Sequence, residues 1–185
     1  MELKLTRILL EIESDQQVDI IGNKLDDIFK DELNKASQQQ NEAVFTTLAI
    51  VLAIPRFLKT VAKIAEIISK KSKIDLKKDN KAWYKILEKF ANKIDNYVET
   101  PFNAILKPIV SDETKRKKIV SFIKGACIIT MAILGSVDLN QLPSVTTKIR
   151  AVSGEFTSEL LQNAGEKNLD KFIEFARTTI KNIIK

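Results

Sequence analysis

The chain contains no histidine and one cysteine in 185 residues. The missing histidine removes Ser-His-Asp and Cys-His nucleophile systems, histidine general bases and histidine-ligated zinc in one step. The lone Cys127 forms no internal disulfide and no cysteine-cluster metal site. It lies in an apolar run, where a small buried hydrophobe is the expected role. Glycine is scarce, and the five glycines, at positions 22, 125, 135, 154 and 165, are never closer than ten residues apart, so no glycine-rich phosphate loop exists. No stretch alternates apolar and polar residues for long, and no Asn-Gly or Asp-Gly turn signals a hairpin. Four prolines and five glycines in 185 residues fit long helices with few turns.

What is present is helical periodicity. Glu2–Glu13 carries Leu3, Leu5, Ile8, Leu9 and Ile12 on one side, and Val18, Ile21, Leu25, Ile28, Phe29, Leu33 and Ala36 repeat at helical spacing. Ser37–Asn41 is a polar connector. Residues 43–71 form the most apolar long stretch, with a kink expected at Pro55. A helix over 80–99 aligns Trp83, Ile86, Leu87, Phe90, Ile94 and Tyr97 on one stripe. Thr100 and Pro101 predict a fresh helix start, with Thr100 as the cap. Ser111, Asp112 and Glu113 predict another start, with a capping hydroxyl followed by acids, and that helix should end near Gly135 as its C′ residue. One helix is expected from Pro143 to Ala164, weakened in its middle by Gly154, and a last one over Glu166–Ile184.

The expected fold is all-α: a single-domain bundle of seven or eight helices. Two apolar helices, within 43–71 and 111–135, would lie at its centre. An acidic helical arm over 1–36 would precede a basic bundle over 43–185. Residues 1–42 hold ten acidic and five basic side chains, and residues 43–185 hold fourteen acidic and twenty-five basic, for a total of +6. Acids enter within the first fifteen residues, which is unlike a secretory signal, so a cytoplasmic or virion location is expected and secretion is not.

Lysine spacing is the main functional signal. Lys77, Lys81, Lys85, Lys89 and Lys93 recur every four residues, opposite the Trp83/Phe90 stripe. Such a row suits phosphates or an acidic protein surface, and it also suits plain hydration. No aromatic residue interleaves with it, so base stacking is not expected. Lys115, Arg116, Lys117 and Lys118 form a second cluster at a helix start, where the macrodipole disfavours cations and an anionic partner would offset the cost. Asp26, Asp27, Asp31 and Glu32 read as a solvated helix face and match no calcium loop. No catalytic residue, metal or cofactor is expected.

The opening residues MELKLTRILLEIE resemble the starts of some head-associated and internal proteins of tailed bacteriophages, and Leu9-Leu10-Glu11 is similar to the Leu-x-Glu pattern cut by phage maturation proteases. The resemblance covers 13 residues and implies a virion component that docks through helices onto other protein subunits. The function expected is therefore non-enzymatic: a structural or interaction protein making lysine-rich contacts to nucleic acid or an acidic partner. The rival is a membrane-active protein, of holin or ejection-channel type, that inserts its two apolar helices. Against it stand the twelve uncharged residues of 43–54, too few to span a bilayer, and Lys124 near the centre of the run 119–137.

Overall fold

The computed structural model describes residues 54–63, 65, 66 and 80–185. Every regular element among them is helical. Residues 54–63 form one helical stretch. Six α-helices follow: α1 (Asn80–Asn92), α2 (Thr100–Leu106), α3 (Glu113–Leu134), α4 (Pro143–Ser153), α5 (Thr157–Gly165) and α6 (Leu169–Ile184). The arm expected over 1–36, residues 43–53, 64 and 67–71 of the apolar stretch, and Lys77 lie outside the described residues.

α3 has the longest buried run among the described helices. Its second half has almost no polar side chain to offer water. Ile119, Val120 and every residue from Phe122 to Ile133 are buried. Helices α1, α2, α4, α5 and α6 all pack against it. Each large aliphatic side chain removed from water there contributes about 1.5–3 kcal/mol. Phe122 meets the edges of Phe156 and Phe175 at centroid distances of 5.4 and 5.9 Å.

Both ends of α3 differ in detail from the sequence expectation. The N-cap is Asp112, not Ser111: its Oδ1 accepts from the backbone N–H of Thr114 (2.8 Å) and of Lys115 (3.1 Å). A carboxylate opposes the positive end of the dipole better than a hydroxyl does. At the other end Gly135 is the C-cap, with φ −85°, and the left-handed C′ position falls on Ser136, with φ 49°. Ser136 N–H donates to Ile133 O and Val137 N–H to Ala132 O, which closes a Schellman turn. Gly135 is set by space instead: a Cβ there would lie 2.3 Å from Trp83 Cδ1 and Nε1.

The helix expected over 80–99 ends its α-helical part at Asn92. After a turn at Lys93 the chain widens into a π-helical turn, Asp95–Glu99, and runs on into α2. Thr100 has helical backbone angles and caps nothing, which corrects the expected fresh start. Pro101 falls in the first turn of α2, where its missing N–H costs no intrahelical bond of a fresh helix but matters in one that runs on from the π-helical turn. The apolar stripe nevertheless holds through the change of pitch, since Trp83, Ile86, Leu87, Phe90, Ile94 and Tyr97 are all buried.

The helix expected from Pro143 to Ala164 is two helices. Gly154, at φ 53° and ψ −122°, turns a corner between α4 and α5 that a side chain would resist. The corner sits against α3, where Gly125 admits it: a Cβ at Gly125 would lie 2.1 Å from Ser153 Oγ and 2.6 Å from Leu160 Cδ1. Ser153 is fully buried and its hydroxyl has no hydrogen-bond partner. The last helix begins at Leu169, with Asn168 as the cap accepting from Lys171 N–H, three residues later than the sequence pattern suggested.

Candidate anion-binding face

α1 is amphipathic, and its fold contacts fix which side faces out. Trp83 Nε1–H donates to the Met131 carbonyl at 3.2 Å, and Ser144 Oγ–H donates to Glu88 Oε1 at 2.6 Å. These bonds tie α1 to α3 and to the start of α4. On the opposite side Lys81 and Lys89 are exposed, with Lys85 half-buried between them. Four residues of helix rise by about 6 Å and drift by about 40°, so these three lysines form a slowly winding row. Lys93 continues the row into the turn after α1 and is half-buried. Of the aromatics nearby, Trp83, Phe90 and Tyr97 are buried, with Phe90 and Tyr97 stacked at 5.7 Å, while Tyr84 is half-buried and its hydroxyl donates to Gln141 Oε1 at 3.4 Å.

A second basic row was not singled out in the sequence. On the helical stretch 54–63, Arg56, Lys59 and Lys63 are exposed, while Ile54, Leu58, Val61 and Ala62 are buried. Phe57 anchors this stretch edge-on to Phe102 of α2, at 4.9 Å. The spacing of three and four among the basic residues was the signal available for it.

The cluster Lys115–Lys118 lies in the first two turns of α3. Each member has a partner within the chain. Lys115 Nζ reaches the Ile184 carbonyl at 3.4 Å, and Arg116 donates to the carbonyls of Val110 and Ser111 at 2.6 and 2.8 Å. Lys117 pairs with Glu113 at 2.7 Å and Lys118 with Glu155 at 3.0 Å. The hydrogen bond from Lys117, together with its charge, holds the Glu113 carboxyl below its ordinary range. That pair is fully solvated and adds little to stability. These internal contacts, with Asp112 and Glu113, offset the macrodipole penalty that four cations would otherwise meet at this helix start.

The structure also assembles a charge cluster that sequence reading missed. Lys124 is buried midway along α3, its side chain about 10% exposed, and its Nζ contacts Glu99 Oε2 at 2.6 Å and Asp95 Oδ1 at 2.8 Å. The second oxygen of Asp95 takes Lys148 at 3.0 Å. The Lys124 hydrogen bond is the main cause holding the Asp95 carboxyl below its ordinary value. For Lys124, burial pushes the ammonium pKa down, but the bonds to Asp95 and Glu99 outweigh it and the net shift is upward. Both acids come from the π-helical turn, so the irregular pitch delivers two carboxylates to one buried cation. A lysine in an apolar run with acids at 95 and 99 on a neighbouring element was the only trace in the sequence.

Among the described residues no group of three or more acidic or cysteine side chains is placed to hold a metal. Cys127 is fully buried, and burial pushes its thiol pKa far up, which makes it inert. No helix among the described residues is long and apolar enough to cross a membrane. The chain matches no protein-family model, no curated protein and no solved structure.

Proposed function

We propose that the chain is a non-enzymatic interaction protein whose lysine face on α1 docks against a polyanion. The observation that carries this reading is the row Lys81, Lys85 and Lys89 on a helix whose other side is locked into the core. Lysine is a hydrated point charge suited to phosphates or carboxylates without sequence reading. With Trp83, Phe90 and Tyr97 buried and only Tyr84 partly open to solvent, a duplex backbone fits better than a run of unstacked bases, which needs several exposed rings. In this reading the bundle is completed by a second apolar central helix over 43–71, for seven or eight helices in all, and other subunits of the same assembly contact the acidic arm. The resemblance of residues 1–13 to phage head proteins supports a virion setting, where packaged nucleic acid is the polyanion. The neutralised Lys124 speaks for helix α3 staying within protein and against the membrane-active alternative.

Salt-dependent binding tests the proposal. Three phosphate contacts give a slope of log K against log salt of about −2.7 for duplex DNA. The triple variant Lys81→Glu, Lys85→Glu, Lys89→Glu should lose that slope and at least about tenfold in affinity near 50 mM salt. Fluorescence anisotropy with a short DNA duplex, and in parallel with polyglutamate, reads both. Binding to polyglutamate alone would make the partner an acidic protein. Failure of the wild-type chain to bind either probe at low salt would sink the reading.

A further inference from the structure

The helical stretch 54–63 carries Arg56, Lys59 and Lys63 and no acid. Its inner side is fixed, because Ile54, Leu58, Val61 and Ala62 are buried. Lys59 and Lys63 are exposed about one turn apart, and neither pairs with an acid among the described residues. Like charges at this spacing repel each other along a helix. Two carboxylates at the same spacing would answer both.

Such a pair lies earlier in the same chain. Residues 1–42 hold ten acidic and five basic side chains, and Asp15 and Asp19 among them are four apart. The helical repeat of Val18, Ile21, Leu25, Ile28 and Leu33 gives this segment an apolar stripe that needs cover from protein. The polar connector Ser37–Asn41 is five residues long, and a connector that short joins antiparallel helices. Two helices folding back about Gln39 rise equally on either side of it. Asp19 and Lys59 are each twenty residues from Gln39, and Asp15 and Lys63 are each twenty-four. The two acids therefore fall level with the two lysines. Arg56 falls level with Gly22 and has no acid opposite. An exposed ion pair is weak by itself, but a short connection within one chain presents the partners to each other at high effective concentration.

We infer that the acidic segment of the same chain docks along this stretch in antiparallel register, with Asp19 on Lys59 and Asp15 on Lys63. The contact is separate from the lysine face of α1, and its test is independent of polyanion binding. A neighbouring subunit that takes the acidic segment in an assembly has to displace it.

Carbodiimide coupling, which joins a carboxylate directly to an amine, tests the register on the full chain. An equal mixture of unlabelled and nitrogen-15-labelled protein is coupled at low salt, digested and read by mass spectrometry. Cross-links Asp19–Lys59 and Asp15–Lys63 are expected, each within peptides of a single isotope. Links joining labelled to unlabelled peptides would put the segment on a second copy, and the absence of any link from Lys59 or Lys63 to an acid of residues 1–42 would leave the lysines open; either result overturns the inference. In a second measurement, Asp15→Asn combined with Asp19→Asn should speed acetylation of Lys59 and Lys63 by about twofold or more, because an ammonium without a carboxylate gives up its proton more readily. Exposed Lys81 serves as the reference and should react at an unchanged rate. Equal rates in wild type and variant at Lys59 and Lys63 would also overturn it. The cross-linking needs only the wild-type chain, so it stands even if the variant fails to fold.

Discussion

Replacing Asp95 by Asn and Glu99 by Gln together is expected to cost about 3 kcal/mol of stability, because it leaves the Lys124 ammonium buried without a counter-charge. Stranding one member of a buried pair costs roughly 3–5 kcal/mol, and the lower end applies because the two acid side chains are themselves 44% and 52% exposed. In a chain of this length that lowers the melting temperature by roughly 6–12 °C. Adding Lys124→Met to the same background should restore most of the loss, since a neutral chain of similar shape suits the apolar surroundings. A double variant that melts like wild type, or a triple variant that melts lower than the double, would show that the cluster does not work this way.

The pH dependence follows from the same contacts. Asp95 has its folded pKa held below the ordinary 3.8, chiefly by the Lys124 hydrogen bond. Its contribution to stability is therefore complete above pH 3.8 and is lost as the pH falls through the lower folded value. Lys124 has its folded pKa raised above 10.5, so its contribution is complete below that pH and is lost as the pH rises through the higher folded value. Between these limits the cluster holds steady. Acid melts of wild type against Asp95→Asn should diverge above pH 3.8 and converge at the acid end.

The second large effect comes from one substitution made at three places. Gly135→Ala puts a methyl 2.3 Å from the Trp83 indole. That ring is fully buried and fixed by its bond to Met131, so it has nowhere to move. Overpacking of this kind costs about 3 kcal/mol. Gly125→Ala meets Ser153 Oγ and Leu160 Cδ1 and should lose somewhat less, because the end of a leucine side chain yields more readily and alanine favours the helix by up to about 1 kcal/mol. Gly165→Ala, at the end of α5, has nothing within 4 Å of its new methyl and should gain about 0.5 kcal/mol. Thermal melts that rank the three in any other order would contradict the close packing of α3 described above. Combining Gly125→Ala with Ser153→Ala should recover part of the loss, since it removes the nearest clashing atom and an unpartnered hydroxyl together.

The contrast between these glycines shows what could be read before the structure was known. Helical periodicity gave the helix class and the buried stripe of α1, because repeated burial of Trp83, Ile86, Leu87 and Phe90 follows directly from a local pitch. It also gave the extent of α3, where capping acids and a glycine bracket an apolar run. What depended on distant residues was not legible. Gly135 looks like a C′ glycine by position, yet its real constraint is an indole some fifty residues earlier in the chain. Gly154 looks like a weak point within a helix, but its backbone makes a corner there. The π-helical turn was hidden because its apolar residues keep an almost α-helical spacing, and its purpose appears only when Asp95 and Glu99 meet Lys124 across the fold. The lysine face was visible as spacing. The cluster at Lys115–Lys118 was visible as charge, but of the five carbonyl and carboxylate groups that answer it only that of Glu113 lies in its own turn; the others lie just before α3, beside the Gly154 corner and at the end of α6.

Everything proposed for the lysine exterior requires that the apolar length of α3 be enclosed by its own chain. Amide hydrogen exchange, with and without anionic phospholipid vesicles, measures this most directly. Backbone amides from Ile119 to Ile133 should be among the slowest to exchange in the molecule, opening only with global unfolding, and vesicles should leave their rates unchanged. Rapid exchange across this segment in the free chain, or protection there that changes when vesicles are added, would contradict the enclosed helix and favour insertion into lipid.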